Sequence, residues 1–276
     1  MPEALQPEQI ALAEHRDYYS TGGYDADRLR WTVREFLPEC CGQRILEIGC
    51  GDGKLLSLLS QKNEVHGIDV SESGISAARA LGLAADVLDV SSNNLPFADD
   101  YFDVVIVLET IEHMMNPYYA LQQIRRVLQL KGRLICSVPN PLIGHPFLYP
   151  GLFQYQSFRE FLQQSGFQIV RVEGWQWAPR ETILPPALRN NRLLGSRYIA
   201  GTLRRAVERT WRLCGRFPAL CYWLWTFECG LKDKNAPTPL RLQAEWTRPK
   251  GPGLVTDDHH ATSVLQASRK RNSSDA

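Results

Sequence analysis

Glu47, Gly49, Gly51 and Gly53, followed twenty residues past Gly49 by Asp69, are the residues whose types and spacing best suit chemistry. They lie in ILEIGCGDG (45–53) and GIDVS (67–71). An apolar run ends at Ile48, the glycines follow at alternate positions, and a helix-prone stretch opens at Lys54. Glycines at such a turn permit a tight backbone and let a ligand lie against the main chain. The first N–H groups of the helix would then face that ligand. Asp69, ending a second apolar run, is placed to accept hydrogen bonds from ribose hydroxyls. Asp89 closes a third run and could meet an adenine amino group. A glycine-rich turn alone is more often a plain loop. Strand, turn, helix and distant acid in this order point instead to a cofactor with an adenosine end.

The third glycine and the preceding acid narrow the choice. A dinucleotide fingerprint has the spacing G-x-G-x-x-G, which seats a pyrophosphate on the helix N-terminus. This chain reads Gly49-x-Gly51-x-Gly53 and then Lys54, and Glu47 precedes the turn by two residues. A carboxylate there repels a pyrophosphate but can hold an amino acid's ammonium group, directly or through water. An adenosine end and a zwitterionic end together describe S-adenosylmethionine. A nicotinamide-dependent oxidoreductase is the enzyme class that Lys54 and Glu47 disfavour.

The elements that must position these residues follow from the hydrophobic pattern. Apolar runs at 44–49, 64–70, 84–90, 103–109 and 133–139 alternate with stretches of helical spacing at 54–61, 73–82 and 117–130. Strands apolar nearly throughout, joined by helices, predict a parallel sheet covered on both faces. Lys131-Gly132 is expected to end the third of these helices. A helix over 157–167 stopping at Gly166, a strand over 167–175 and a β-prone run over 222–231 follow. The expected organisation is an N-terminal arm and helix covering the cofactor (1–43), an α/β domain (44–235) and a tail (236–276). An Arg-rich insertion at about 179–218 interrupts the domain. The tail is too polar to offset its ordering entropy and is expected to be disordered. Asp257, Asp258, His259 and His260 within it read as a solvated charge run rather than a ligand set, and no metal is expected.

Composition removes several classes. Over 276 residues the hydrophobic share is 44% and the charged share 22%, which allows a sizeable core and excludes wholesale disorder. A formal net charge of +1 is too small for a chain that coats nucleic acid. The seven cysteines include no Cys-x-x-Cys, and several lie in apolar runs, which suggests thiols kept reduced. The first residues carry acids and no long apolar core, unlike a signal peptide. The longest nearly apolar stretch, Phe217–Leu231, contains Glu228 and falls short of the ~20 residues a bilayer span needs. A soluble, cytoplasmic protein is the expectation.

ILEIGCGDG, GIDVS, LPFADDYFDVVIVLETIEHMMNP and LKGRLICSVPNP resemble the successive signatures of class I S-adenosylmethionine-dependent methyltransferases. The nearest likeness is to the small-molecule branch (methyltransferase type 11-like), whose motif reads E/D-x-G-x-G-x-G. The resemblance covers roughly residues 15–175, with a weaker echo at 222–233. It implies an α/β, Rossmann-like, seven-stranded and mostly parallel sheet with helices on both faces. The last strand, 222–231, would run antiparallel beside 167–175, with a helical insertion between the sixth and seventh strands. It also implies that Glu47, Gly49, Cys50 and Gly51 line the methionine side, and that Asp69 holds the ribose. Val70 would pack on the adenine, Asp89 with Val90 would frame its amino edge, and Leu108 with Glu109 would lie below the methionine part. A small-molecule acceptor and no metal requirement are further implications. The Asn/Asp-Pro-Pro-Tyr-type signature that holds a flipped base is absent, since Leu108-Glu109-Thr110-Ile111 stands in its place, so no nucleic-acid partner is expected. A catalytically silent cofactor-binding scaffold is the remaining class, and the intact Glu47–Gly53 and Asp69 signals argue against it.

Two histidines are candidates for acid–base work. His113, beside Glu112 just past the fourth strand, could take a proton from a substrate hydroxyl, because histidine ordinarily titrates near neutrality. Bracing the following helix is its plainer role. His145, in the loop after the fifth strand, is a candidate substrate contact with a structural role again ahead. His15, Tyr18, Tyr19 and Tyr24 belong to an arm that folds over the cofactor in relatives, and binding and packing stand level for them. Residues 189–216 hold eight arginines against one glutamate. Within 196–216, Ile199, Leu203, Val207 and Trp211 recur every four residues, with Arg205, Arg209, Arg212 and Arg216 on another side. This is an amphipathic, basic helix. It suits a cap on the core, a peripheral membrane helix, or a lid over an amphiphilic or acidic substrate. A lipidic or isoprenoid-like acceptor is the corresponding expectation.

Overall fold

The computed structural model describes residues 26–143, 148–149, 151–177, 197–214, 216–217 and 219–232. Strands β1 (Arg44–Ile48) and β4 (Phe102–Leu108) are short apolar runs buried along nearly their whole length. Such strands suit the middle of a parallel sheet, where both faces are covered. With β2 (Glu64–Asp69), β3 (Ala84–Val87), β5 (Leu128–Pro139), β6 (Phe167–Trp177) and β7 (Tyr222–Leu231) they form one seven-stranded sheet in the order β3-β2-β1-β4-β5-β7-β6. The pairings from β3 to β5 are parallel. β7 lies between β5 and β6 and is antiparallel to both, as expected of the last strand.

Helix α1 (Ala26–Phe36) packs Leu29, Trp31 and Phe36 into a core shared with Ile45 of β1, Val104, Ile106 and Leu108 of β4, and Ile135 of β5. Leu55 and Leu59 of α2 (Lys54–Leu59) join the same core. The alternate residues of β4 point to one face, as the two-residue period of a strand requires. The C-terminal end of α1 is tied down by arginines from the sheet. Arg133 donates to the Phe36 carbonyl at 3.0 Å, Arg171 to that of Glu35 at 2.5 Å, and both flank Glu228 at 2.9 and 3.2 Å. α3 (Glu72–Ala80) is capped by Ser71, whose hydroxyl accepts the Gly74 N–H at 3.1 Å. α4 (Pro117–Val127) is capped in the same way by Asn116. α5 (Tyr155–Gln164) precedes β6, and α6 (Arg197–Leu213) lies in the insertion.

Two boundaries differ from the sequence reading. The helix expected over 117–130 stops at Val127, and β5 begins at Leu128. Lys131-Gly132 is therefore strand, not a helix end. The register passes from Phe102↔Leu128 to Val104↔Arg133, so β5 bulges in between and leaves Leu130 exposed. A Cβ on Gly132 would stand 2.7 Å from Leu128 Cδ1 and 3.0 Å from the Asp103 carbonyl, so close packing, not a turn, demands this glycine. The third run ends at Val87 rather than at residue 90, because the Asp89 carboxylate draws the chain into a turn by accepting the Ser91 N–H and the Ser92 hydroxyl, each at 2.8 Å.

All seven cysteines are free thiols, five of them buried. Among the described residues no helix is long and apolar enough to cross a membrane, and no cluster of acids, histidines and cysteines is arranged to hold a metal ion. The tail 236–276 and residues 1–25 of the arm lie outside the described residues.

Candidate functional site

The register sets Ile48 against Ile68 on one side and Val107 on the other, so β1, β2 and β4 end side by side. The turn leaving β1 carries Gly49, Gly51 and Gly53 at φ 78°, 52° and 75°, conformations that favour glycine. A Cβ on Gly49 would stand 2.0 Å from Thr110 Oγ1, so the chain leaving β4 presses directly on this turn. The Asp69 carboxylate, at the end of β2, accepts the Gly51 N–H through one oxygen and the Ser71 N–H through the other, each at 2.8 Å. Asp69 is buried, and these charge-assisted bonds fix its orientation.

Glu47 is buried in β1. Burial, and then the nearby charges of Asp69 and Asp52, push its carboxyl well above the usual carboxylate range, while Arg28 opposes them. Among the described residues its Oε2 has no hydrogen-bond partner. A buried acceptor in that condition is costly unless a donor arrives. Cys50 is buried next to it, and burial raises its thiol pKa, so it is an unreactive packing group.

Val70 follows β2 and is half-buried, whereas Val90 is buried beyond the Asp89 turn. Leu108 ends β4 in the core. Glu109 comes next at φ 46°, with its N–H on the Ser137 carbonyl at 3.0 Å and its carboxylate ion-paired with Arg28 of α1. Glu112 is buried in the one-turn 3-10 helix Ile111–His113, and burial pushes its carboxyl up to about 8 against the opposing pull of Arg28. His113 Nε2 lies 3.9 Å from Glu112 Oε1, with the imidazole partly exposed. His145 and the arm residues His15, Tyr18, Tyr19 and Tyr24 lie outside the described residues.

Glu47, the glycine turn, Asp69, Leu108 and Glu109 thus share the carboxyl edge of three adjacent strands, with Asp89 beyond β3. Arg28 was not among the residues read from the sequence. Its signal was an arginine on the same helical face as Trp31 and Thr32, both buried. Thr110 was missed as well, since nothing in a sequence shows that its side chain seals the space over Gly49.

The methyltransferase domain family matches residues 46–136. The chain is 30% identical over 193 residues to the 27-O-demethylrifamycin SV methyltransferase of Amycolatopsis mediterranei, covering 66% of this chain and 67% of that protein. It is 32% identical over 163 residues to the O-methyltransferase resE of Aspergillus sclerotiorum, covering 52% of this chain and 62% of that protein. The match therefore spans about two thirds of the length of these relatives. The Haemonchus contortus phosphoethanolamine N-methyltransferase 2 in complex with S-adenosyl-L-methionine shares the fold, with a TM-score of 0.54 at 17% identity, over 84% of this chain and 62% of that one. With the motifs, the strand order and these relatives in agreement, the chain belongs to the class I S-adenosylmethionine-dependent methyltransferases.

Proposed function

We propose that this protein transfers a methyl group from S-adenosylmethionine to a hydroxyl oxygen of a small, amphiphilic molecule. The observation that carries the reading is the buried Glu47 Oε2, which has no hydrogen-bond partner among the described residues, beside the left-handed turn of Gly49, Gly51 and Gly53. An ammonium group set against Glu47 supplies the missing donor and returns the carboxyl to its ionised form. Arg28, whose charge both Glu47 and Glu112 feel, is the cation for a carboxylate end. Asp69 accepts two N–H bonds, one through each oxygen, and can accept further bonds from ribose hydroxyls. Val70 and Val90 supply apolar surface for an adenine ring.

S-adenosylmethionine supplies a positively charged sulfonium whose methyl group is open to in-line displacement. The protein's own part is alignment and exclusion of water. A hydroxyl acceptor also has a proton to lose, and His113 is the group for it. Glu112, whose carboxyl burial pushes up to about 8, lies beside it, 3.9 Å from the His113 Nε2. The hydroxyl assignment is supported by the two relatives, one named an O-methyltransferase and the other a methyltransferase of 27-O-demethylrifamycin SV. In this reading the protein works in the cytoplasm on a lipidic or isoprenoid-like acceptor. Incubation with methyl-labelled S-adenosylmethionine and an extract of host metabolites tests it. Label should enter an organic-soluble product as a base-stable methyl ether, and label in amines or in no product at all would overturn the assignment.

A further inference from the structure

The insertion leaves and rejoins the sheet at one edge. Trp177 of β6 pairs with Tyr222 of β7, and Pro139 of β5 pairs with Leu224. This is the carboxyl edge that also carries Gly49, Asp69 and Glu109. α6 is held there by polar contacts. The Tyr222 hydroxyl donates to Glu208, and Arg212 donates to Glu208 at 3.2 Å, to Tyr222 at 3.3 Å and to Glu173 of β6 at 3.4 Å. Glu208 is the only acid in residues 189–216, and it is half-buried in this cluster. Arg205, Arg209 and Arg216 are exposed. Between them in sequence, Trp211 and Leu213 are 37% and 79% exposed.

The stripe expected to cap the core is thus incompletely covered where it is described, and the helix is anchored by its polar side instead. We propose that the outer face of α6 docks on an anionic lipid bilayer, with Arg205, Arg209 and, just past its end, Arg216 at head-group phosphates and Leu213 in the interface. Charge complementarity selects the partner, because the one acid that would oppose anionic lipid is turned inward. Leucine gains an apolar medium there. A single-stranded RNA would engage the arginines but leave Leu213 in water. The proposal is independent of the methyl-transfer reading, since docking requires neither cofactor nor acceptor.

Co-sedimentation of the full chain with phosphatidylcholine vesicles and with phosphatidylcholine–phosphatidylglycerol vesicles tests it. The protein should pellet with the anionic vesicles alone at low salt, and should be released at ~1 M salt, where the screening length falls to ~3 Å. The R205Q/R209Q/R216Q variant should bind about a hundredfold more weakly, roughly fivefold for each arginine. The L213S variant should bind more weakly at every salt concentration, a loss that screening does not mimic. Arg212 is kept in both variants because it anchors the helix, and their melting temperatures should match the parent's. Equal pelleting with both vesicle types, unchanged binding by the arginine variant, or retention of a single-stranded RNA without vesicle binding would each overturn the proposal.

Discussion

The Asp69 carboxylate accepts the Gly51 N–H at 2.8 Å, so the residue we propose for a ribose also holds the glycine turn against the end of β2. The turn is shaped before any ligand arrives. Binding then requires less ordering, which is the advantage of a preorganised site.

Asp69→Ala should therefore cost stability as well as affinity. It leaves the buried Gly51 and Ser71 N–H groups without their acceptor, at about 1–3 kcal/mol for each. Urea unfolding of the ligand-free protein should show a fall of roughly 2–6 kcal/mol. Asp69→Asn keeps one acceptor oxygen and should lose less. Parental stability in the alanine variant would contradict this dual role.

Gly49→Ala should be among the most damaging single-methyl changes in the chain. The new Cβ would stand 2.0 Å from Thr110 Oγ1 at φ 78°. The left-handed conformation alone costs about 1–2 kcal/mol for a non-glycine residue, before any clash. Gly42 is the control: its φ of 66° is similar, but a Cβ there meets nothing within 4 Å. Gly42→Ala should lose only the conformational part in the same unfolding assay.

The central strands were legible in the sequence because β1 and β4 are buried on both faces and read as unbroken apolar runs. The glycine turn and Asp69 were legible because glycine best suits three left-handed positions at alternate residues and because strand length fixes the distance to the next acid. Gly132 misled because a glycine required by packing against Asp103 and Leu128 follows Lys131 just as a helix-ending glycine would. Arg28 was hidden because its partner Glu109 lies 81 residues away, and such a pairing has no local pattern. The Glu208–Arg212–Tyr222 anchor was hidden as well, because Tyr222 lies 14 and 10 residues from its two partners, outside the four-residue apolar spacing that the sequence shows.

Glu112 should make stability depend on pH. Its carboxyl is pushed from an ordinary 4.5 up to about 8, so above 4.5 the folded chain retains a proton that the unfolded chain has released. Stability should fall as pH rises from about 4.5 toward 8 and level off beyond, with this group contributing a slope of at most ~1.4 kcal/mol per pH unit. Glu112→Gln should flatten that part of the curve and be the more stable protein at pH 8. Urea midpoints for both proteins across this range provide the check, and parallel curves would contradict the assignment.

His113→Ala should separate binding from turnover. A base that removes the acceptor proton contributes about 10²–10⁴ in rate, so kcat should fall by that order. Affinity for S-adenosylhomocysteine should stay near the parental value. A variant with parental kcat would reduce His113 to a brace for the chain before α4.

The central claim is that Glu47, the glycine turn and Asp69 hold S-adenosylmethionine. Its most direct test is calorimetric titration of the full chain with S-adenosylhomocysteine, which carries the same adenosine and ammonium groups, in two buffers of different ionisation enthalpy. Saturable one-to-one binding should appear, with release of a proton as Glu47 ionises against the ammonium group, and Glu47→Gln should lose the proton release and much of the affinity. At 100 times its dissociation constant the ligand should add about 2.7 kcal/mol of stability. Binding of NAD with no response to S-adenosylhomocysteine would contradict the account.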